Sequence, residues 1–257
     1  MYLENNENDQ FAINGLKSIE LSNDKDLTFS RYQIKRFSLL NSRRAQFSPS
    51  IYGANDEELY FTTSNDKNKS SINSLITGTK YFDIWLTKKD ENGNWQKPEA
   101  LGEEINTDND EGATCFSADG NTMFYTVSYG SENEKSNPSI YYSKRDDGKW
   151  SKGSKLALSK DSLSIYAHPA ISSDGKFLYF VSDMPGGYGG KDIWRAKLDG
   201  FNVSYIENLG EEINTAKDEM FPTISPDNRL FFSSNGKIGI GGLDIFAARE
   251  DEWGYWH

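Results

Sequence analysis

One eleven-residue phrase occurs twice in this chain, 108 positions apart: Leu101-Gly-Glu-Glu-Ile-Asn-Thr-Asp-Asn-Asp-Glu111 and Leu209-Gly-Glu-Glu-Ile-Asn-Thr-Ala-Lys-Asp-Glu219, with nine positions identical. A catalytic motif is needed once per active site, whereas a phrase recurring at a fixed period marks the connector between copies of one supersecondary unit. The first reading of these residues is therefore architectural.

Aligned on the Asn-Thr pair of the phrase, the chain falls into four copies. Asn41-Ser42, Asn106-Thr107, Asp161-Ser162 and Asn214-Thr215 each begin ten residues before Ile51, Phe116, Ile171 and Ile224. Each copy opens with a short strand (Phe47–Tyr52, Thr114–Ser117, Pro169–Ser172, Pro222–Ser225). A tight turn follows, clearest at Asp119-Gly120 and Asp174-Gly175, where Asp-Gly between apolar runs predicts a type I′ hairpin with positive φ at both central residues.

The second strand is an aromatic run: Leu59–Phe61, Met123–Tyr125, Leu178–Val181 and Leu230–Phe232. Consecutive apolar residues without alternation predict a strand covered on both faces. A third strand follows at Asp83–Trp85, Ser139–Tyr142, Asp192–Trp194 and Asp244–Phe246, then a turn and an aromatic residue at Trp95, Trp150, Phe201 or Trp253. A fourth strand carries the chain to the next Asn-Thr pair. Four short antiparallel strands repeated in this way predict an all-β chain, a β-propeller of four-stranded blades. A β-sandwich has short strands too, but no reason to repeat its phrasing.

Composition bounds the rest. Only 36% of residues are apolar while 14% are aromatic, which suits a core of thin aromatic layers. A formal charge of −11 excludes a nucleic-acid or anionic-membrane surface, both of which need basic patches. Cys115 is the sole cysteine, so no internal disulfide can form, and its place in a strand marks it as a small core residue. No apolar run is long enough to span a membrane, and residues 1–10 lack the basic start and apolar stretch of a secretory signal.

The repeated phrases resemble the TolB-type, WD-repeat-like propeller repeat of Gram-negative envelope proteins. The phrases that carry the resemblance are Leu209–Thr215, Phe221–Asp227, Ser182–Trp194 and its partner Ser233–Phe246, and it extends from about residue 31 to the end. It implies a protein-docking platform in the periplasm or at the outer membrane, as in OmpA-family and type IX secretion components, with envelope proteins as partners. Glycan or peptidoglycan is the other partner it implies, but the chain contains no OmpA-type domain to anchor it to peptidoglycan. Blade two departs from the pattern, reading Asn137-Pro-Ser-Ile140 in place of the aspartate and glycines of the third-strand motif.

Residues 31–257 are assigned to the propeller, with repeats starting near 45, 112, 167 and 220. Arg31–Leu40 aligns with a fourth strand, either completing the last blade or following a blade of a larger ring. Residues 1–30 hold strand-like sequence at Phe11–Leu21 with no place in the repeat.

Candidate chemistry is weighed against the scaffold. Asp83, Asp192 and Asp244 recur at one blade position beside glycines, so they are read as acceptors for loop amides, with cation binding the lesser alternative. The glycine loops Pro185–Gly190 and Gly236–Gly242 precede strands, not the helix a phosphate site needs, and are read as permitting positive φ. Ser117–Phe124 and Ser172–Tyr179 approach the Asp-box of sialidase propellers, but the glycine is displaced and the tryptophan missing. The only histidines are His168 and His257, and no nucleophile-elbow serine is present, so no catalytic, cofactor or metal residue is assigned.

Function is expected where the copies differ: the expanded loops Ser64–Lys80 and Ser128–Asn137, which share a face with the connectors. The partner-binding candidates on that face are Asp108, Asp110, Glu111, Tyr129, Tyr188, Asp218 and Glu219. The expected function is non-enzymatic docking. The rivals are a carbohydrate-binding or glycoside-hydrolysing propeller, marked by carboxylates converging at the channel mouth, and the propeller domain of a larger peptidase.

Overall fold

A computed structural model describes residues 6, 9–23, 36–40, 45–53, 55–64, 81–129 and 137–257. Their strands form four antiparallel sheets around one axis, a β-propeller. Blade one comprises β1 (Gln46–Tyr52), β2 (Glu58–Ser64), β3 (Phe82–Lys88) and β4 (Glu99–Ala100). Blade two comprises β5 (Asp110–Phe116), β6 (Thr122–Ser128) and β7 (Ser139–Asp146), with β8 (Lys149–Trp150) and β9 (Ser154–Lys155) both pairing with β7. Blade three comprises β10 (Ala167–Ile171), β11 (Phe177–Ser182), β12 (Asp192–Asp199) and β13 (Asn202–Asn208). Blade four comprises β14 (Glu219–Ile224), β15 (Arg229–Ser234) and β16 (Asp244–Arg249).

The aromatic second strands lie between neighbouring blades, and every residue of β2 is buried. The inter-blade layers are built as the composition demanded. Tyr60, Ile84, Ile105 and Met123 join blades one and two, and Ile193, Ile213, Leu230 and Phe232 join blades three and four. Cys115 packs at the edge of the layer between blades two and three, where burial pushes its thiol up to about 12.

The turns differ from expectation at one point. Asp119-Gly120 and Asp174-Gly175 are not type I′, because only Gly120 (φ 68°) and Gly175 (φ 71°) are left-handed. Gly120 N–H closes a turn onto Ser117 O at 2.8 Å, and Asp119 caps it by accepting from Asn121 N–H at 3.0 Å. A type I′ turn does occur at Asp147-Gly148, where both residues have positive φ.

The N-terminal region corrects the sequence reading. Residues 10–23 form a helix, α1 (Gln10–Asn23), where strand-like sequence was read, and Asn14 Nδ2 donates to Gly236 O of blade four at 3.0 Å. In the expected fourth strand 31–40, Ser38–Leu40 is a 3-10 turn, and Phe37 sits edge-on to Trp95 of blade one. Residues 31–35 and Asn41-Ser42 lie outside the described residues, as does most of both expanded loops (65–80 and 130–136). No helix among the described residues is long and apolar enough to cross a membrane.

Candidate functional site

The repeated phrase holds adjoining blades together. Gly210 O accepts from Ile213 N–H (3.2 Å) and Asn214 N–H (2.8 Å), winding the phrase into one compact turn that drives Ile213 into the inter-blade layer. Asn214 then reaches the third strand of the preceding blade. Its Oδ1 accepts from Ile193 N–H at 2.7 Å, and its Nδ2 donates to Ile193 O at 2.9 Å. Asn106 does the same to Ile84, at 2.9 Å for both bonds. A primary amide carries one donor and one acceptor side by side, so it completes a strand edge where the backbone has turned away.

The Thr and Glu of the phrase close the next step. Glu219 accepts from Thr215 N–H and Oγ1–H, both at 2.7 Å, and from Ser234 Oγ–H at 2.6 Å. Glu111 accepts the equivalent pair from Thr107. Burial pushes the Glu111 carboxyl up to about 8, with Asp83 and Asp110 adding to it and the Thr107 bonds pulling against it, so it is largely protonated at neutral pH.

The seven candidate residues therefore separate. Glu111 and Glu219, 1% and 0% exposed, stand at the start of the first strands of blades two and four, and Asp110 is buried next to Glu111, accepting from Phe82 N–H at 2.8 Å. These three are not surface contacts: the strands begin at them, three or more residues earlier than the apolar pattern suggested. Asp218 is half-buried and ties Lys191 N–H (3.0 Å) to the connector, and Tyr129 is half-buried with its hydroxyl on Tyr141. Asp108 and Tyr188 alone among the seven are exposed. Asp192 behaves as read, accepting from the loop amides of Tyr188 and Gly189 and from Asn208 Nδ2. Gly189 is required for close approach and not for positive φ, since a Cβ there would stand 2.3 Å from the Thr215 and Lys217 carbonyl oxygens.

The axis carries a feature the sequence reading passed over. Each first strand has a bulge with one left-handed non-glycine residue: Ser48, Ala113, His168 and Phe221, φ 48° to 54°. Ala113 N–H donates to Thr62 Oγ1 of the preceding blade at 3.0 Å, and His168 N–H to Thr126 Oγ1 at 2.9 Å. Strand register puts Val181 at the equivalent place in blade three, so Phe221 N–H turns instead to His168 Nδ1 at 3.4 Å. The two rings stack at 4.0 Å and 12°. The recurring Pro49, Pro169 and Pro222, each just after the left-handed residue, were the available signal. Proline leaves no N–H unpaired in a bulge.

These residues line an axial cavity of about 330 Å³ with Phe47, Thr114 and Ile245. A second pocket of about 190 Å³, bordered by Phe82, Asp110 and Glu111, shares Phe47, Ala113 and His168 with it. The walls are mainly apolar. Burial, helped by Lys191, holds His168 down at about 4, and its Nδ1 is occupied, so the neutral ring has Nε2–H as its remaining polar group. Among the described residues no group of three or more His, Cys, Asp or Glu is placed to hold a metal ion.

This arrangement matches solved propellers. TolB from Acinetobacter baumannii superposes with a TM-score of 0.51 at 20% identity, over 85% of this chain and 44% of that one. The fold is a TolB-like β-propeller. Putative TolB from Agrobacterium tumefaciens (TM-score 0.46, 17% identity, 85% and 82% coverage) and the GH43 endo-arabinanase of Bacillus licheniformis (0.47, 15%, 88% and 82%) are also similar. The propeller described here thus spans less than half of the Acinetobacter TolB chain. No protein-family model and no curated protein matches the sequence.

Proposed function

We propose that this chain is a non-enzymatic propeller scaffold that docks other proteins in the periplasm or at the outer membrane, in secretion or envelope assembly. One observation carries this reading. The polar side chains that recur from blade to blade are engaged in holding the blades, whereas Asp108 and Tyr188, at positions where the copies differ, stand exposed on one face. The TolB-type resemblance supports the envelope location. Against the glycosidase reading, Asp110 and Glu111 border the second pocket but accept hydrogen bonds from Phe82 and Thr107.

A photo-crosslinking residue at position 188 tests this in envelope-bearing cells, with position 147 on the opposite face as control. Docking gives a discrete protein adduct at 188 and none at 147, weakened by Asp108→Lys in a salt-dependent way. Equal labelling at both positions, or none, removes the docking reading. Saturable binding of a glycan without any protein adduct replaces it with the carbohydrate one.

A further inference from the structure

Blade two does without the asparagine its neighbours use. Ile84, Ile140 and Ile193 hold the same place in the third strands of blades one to three, opposite Thr62, Thr126 and Val181. In each blade a leucine N–H reaches the isoleucine carbonyl from the outer side: Leu101 at 3.0 Å, Leu156 at 2.8 Å and Leu209 at 3.2 Å. Five residues further on, the chain carries Asn106, Asp161 and Asn214. The two asparagines each bond both the N–H and the C=O of their isoleucine. Asp161 turns away, accepting from Leu163 N–H at 2.8 Å and from the Ser164 hydroxyl. In an antiparallel ladder the N–H and C=O of one residue point to the same side, so Ile140 N–H follows its C=O outward. No described residue accepts from it.

A second buried polar group is left over at the same place. Ile140, Leu156, Leu158, Ser164 and Tyr166 line a cavity of about 350 Å³, a size typical of small-molecule sites. Tyr166 is only 6% exposed, and its hydroxyl, with Ser159 as polar neighbour, has no hydrogen-bond partner among the described residues. Buried polar groups are nearly always paired, because leaving one unpaired costs its full desolvation. Two such groups therefore border one cavity.

The neighbouring blades show which chemistry suits it. Ile84 O and Ile193 O each accept from a leucine N–H and from an asparagine Nδ2, whereas among the described residues Ile140 O accepts from Leu156 alone. A primary carboxamide sets an acceptor and a donor side by side and matches both peptide groups. A carboxylate would bring a bare oxygen against the Ile140 carbonyl oxygen and cannot donate to it.

We propose that the cavity beside the outer edge of β7 binds a primary carboxamide, whose oxygen accepts from Ile140 N–H, whose nitrogen donates to Ile140 O, and which has the Tyr166 hydroxyl as a third polar contact. The group can be carried by a peptide side chain or by a free small molecule. The site goes beyond the docking reading and does not depend on it.

The probe is N-acetyl-L-asparagine methylamide, titrated into the isotope-labelled full chain and followed by backbone amide shifts, with propionamide as the small-molecule arm and N-acetyl-L-aspartic acid methylamide as control. A saturable shift at Ile140 is expected, while Ile84 and Ile193 stay put because Asn106 and Asn214 already bond them. The aspartate control binds at least about tenfold more weakly. Tyr166→Phe weakens the probe at least about fivefold, yet its urea unfolding shows no loss of stability, since the hydroxyl removed has no bond to lose. Tighter binding of the asparagine probe than of propionamide assigns the site to a peptide side chain, and the reverse order to a free amide. Absence of a saturable shift, equal shifts at Ile84 and Ile193, equal affinity for the aspartate control, or unchanged affinity in Tyr166→Phe overturns the proposal.

Discussion

Asn214 bonds to both polar backbone groups of Ile193, accepting from its N–H at 2.7 Å and donating to its C=O at 2.9 Å, although the two residues belong to consecutive blades. The same Nδ2 also donates to Asn208 Oδ1 at 2.8 Å. One buried side chain thus completes the edge of β12, orients the end of β13 and sets the path of the chain into blade four.

Asn214→Ala leaves the buried Ile193 N–H without its partner and removes one of the two donors to Asn208 Oδ1, and a loss of about 2–4 kcal/mol is expected. Urea unfolding with an unchanged m-value measures it. Asn214→Asp keeps the acceptor, loses the donor and buries a charge, so it falls at least as far.

His168 serves Phe221 because Val181 has no hydroxyl. His168→Ala removes the ring stack and the acceptor together, with an expected cost of about 1–3 kcal/mol. Alanine itself tolerates the backbone there, as Ala113 has φ 50°. Val181→Thr added to that variant places a hydroxyl where Thr62 and Thr126 have theirs and recovers part of the loss. A double-mutant cycle showing no coupling removes this account.

Strong acid weakens the seam between blades one and two. Burial alone would raise the Glu58 carboxyl, but Arg145 (3.1 Å) and Lys88 (2.6 Å), with the Tyr60 hydroxyl, overrule it and hold it at about 2. A carboxyl depressed in the folded state stabilises fully above its ordinary value near 4.5, and that contribution is lost as pH falls toward 2. Glu58→Gln removes on the order of 2 kcal/mol of the loss in unfolding free energy between pH 5 and 2, and its melting temperature falls less steeply there than the parent's.

Glu111 carries the opposite sign. Its folded-state value of about 8 lies above the ordinary 4.5, so its contribution is complete below pH 4.5 and is lost as pH rises through 8. Glu111→Gln mimics the protonated form and gives a melting temperature that no longer declines between pH 6 and 9. A decline as steep as the parent's rules out this assignment.

Charge reversal separates scaffold from surface. Glu219→Lys buries an unmatched cation at a position 0% exposed and abolishes cooperative unfolding, whereas Asp108→Lys and Tyr188→Ala melt within a few degrees of the parent. Circular dichroism melts of the three variants distinguish them directly.

Much of this was legible in the residues. Second strands such as Leu59–Phe61 and Leu178–Val181 could be read because an unbroken aromatic run suits a strand covered on both faces, and Asp192 because it recurs beside glycines. The bulged first strands were shorter in the reading than in the molecule. Asp110, Glu111 and Glu219 are charged and look like connector residues, yet their strands begin with them. Helix α1 was missed because Phe11–Leu21 mixes apolar and polar residues without a clear period of either kind.

The strand order within each blade, the turn positions and the asparagine connector were set by the sequence alone, because each depends on neighbours a few residues away, whereas the repeats left open a larger ring and the structure shows four blades. Which repeated side chains are hidden was decided only by the tertiary structure. Ile193 and Ile245 sit in the same Asp-Ile-aromatic phrase, and one is enclosed while the other stands in solvent. Burial depends on what the next blade places against a residue, and no local pattern carries that information.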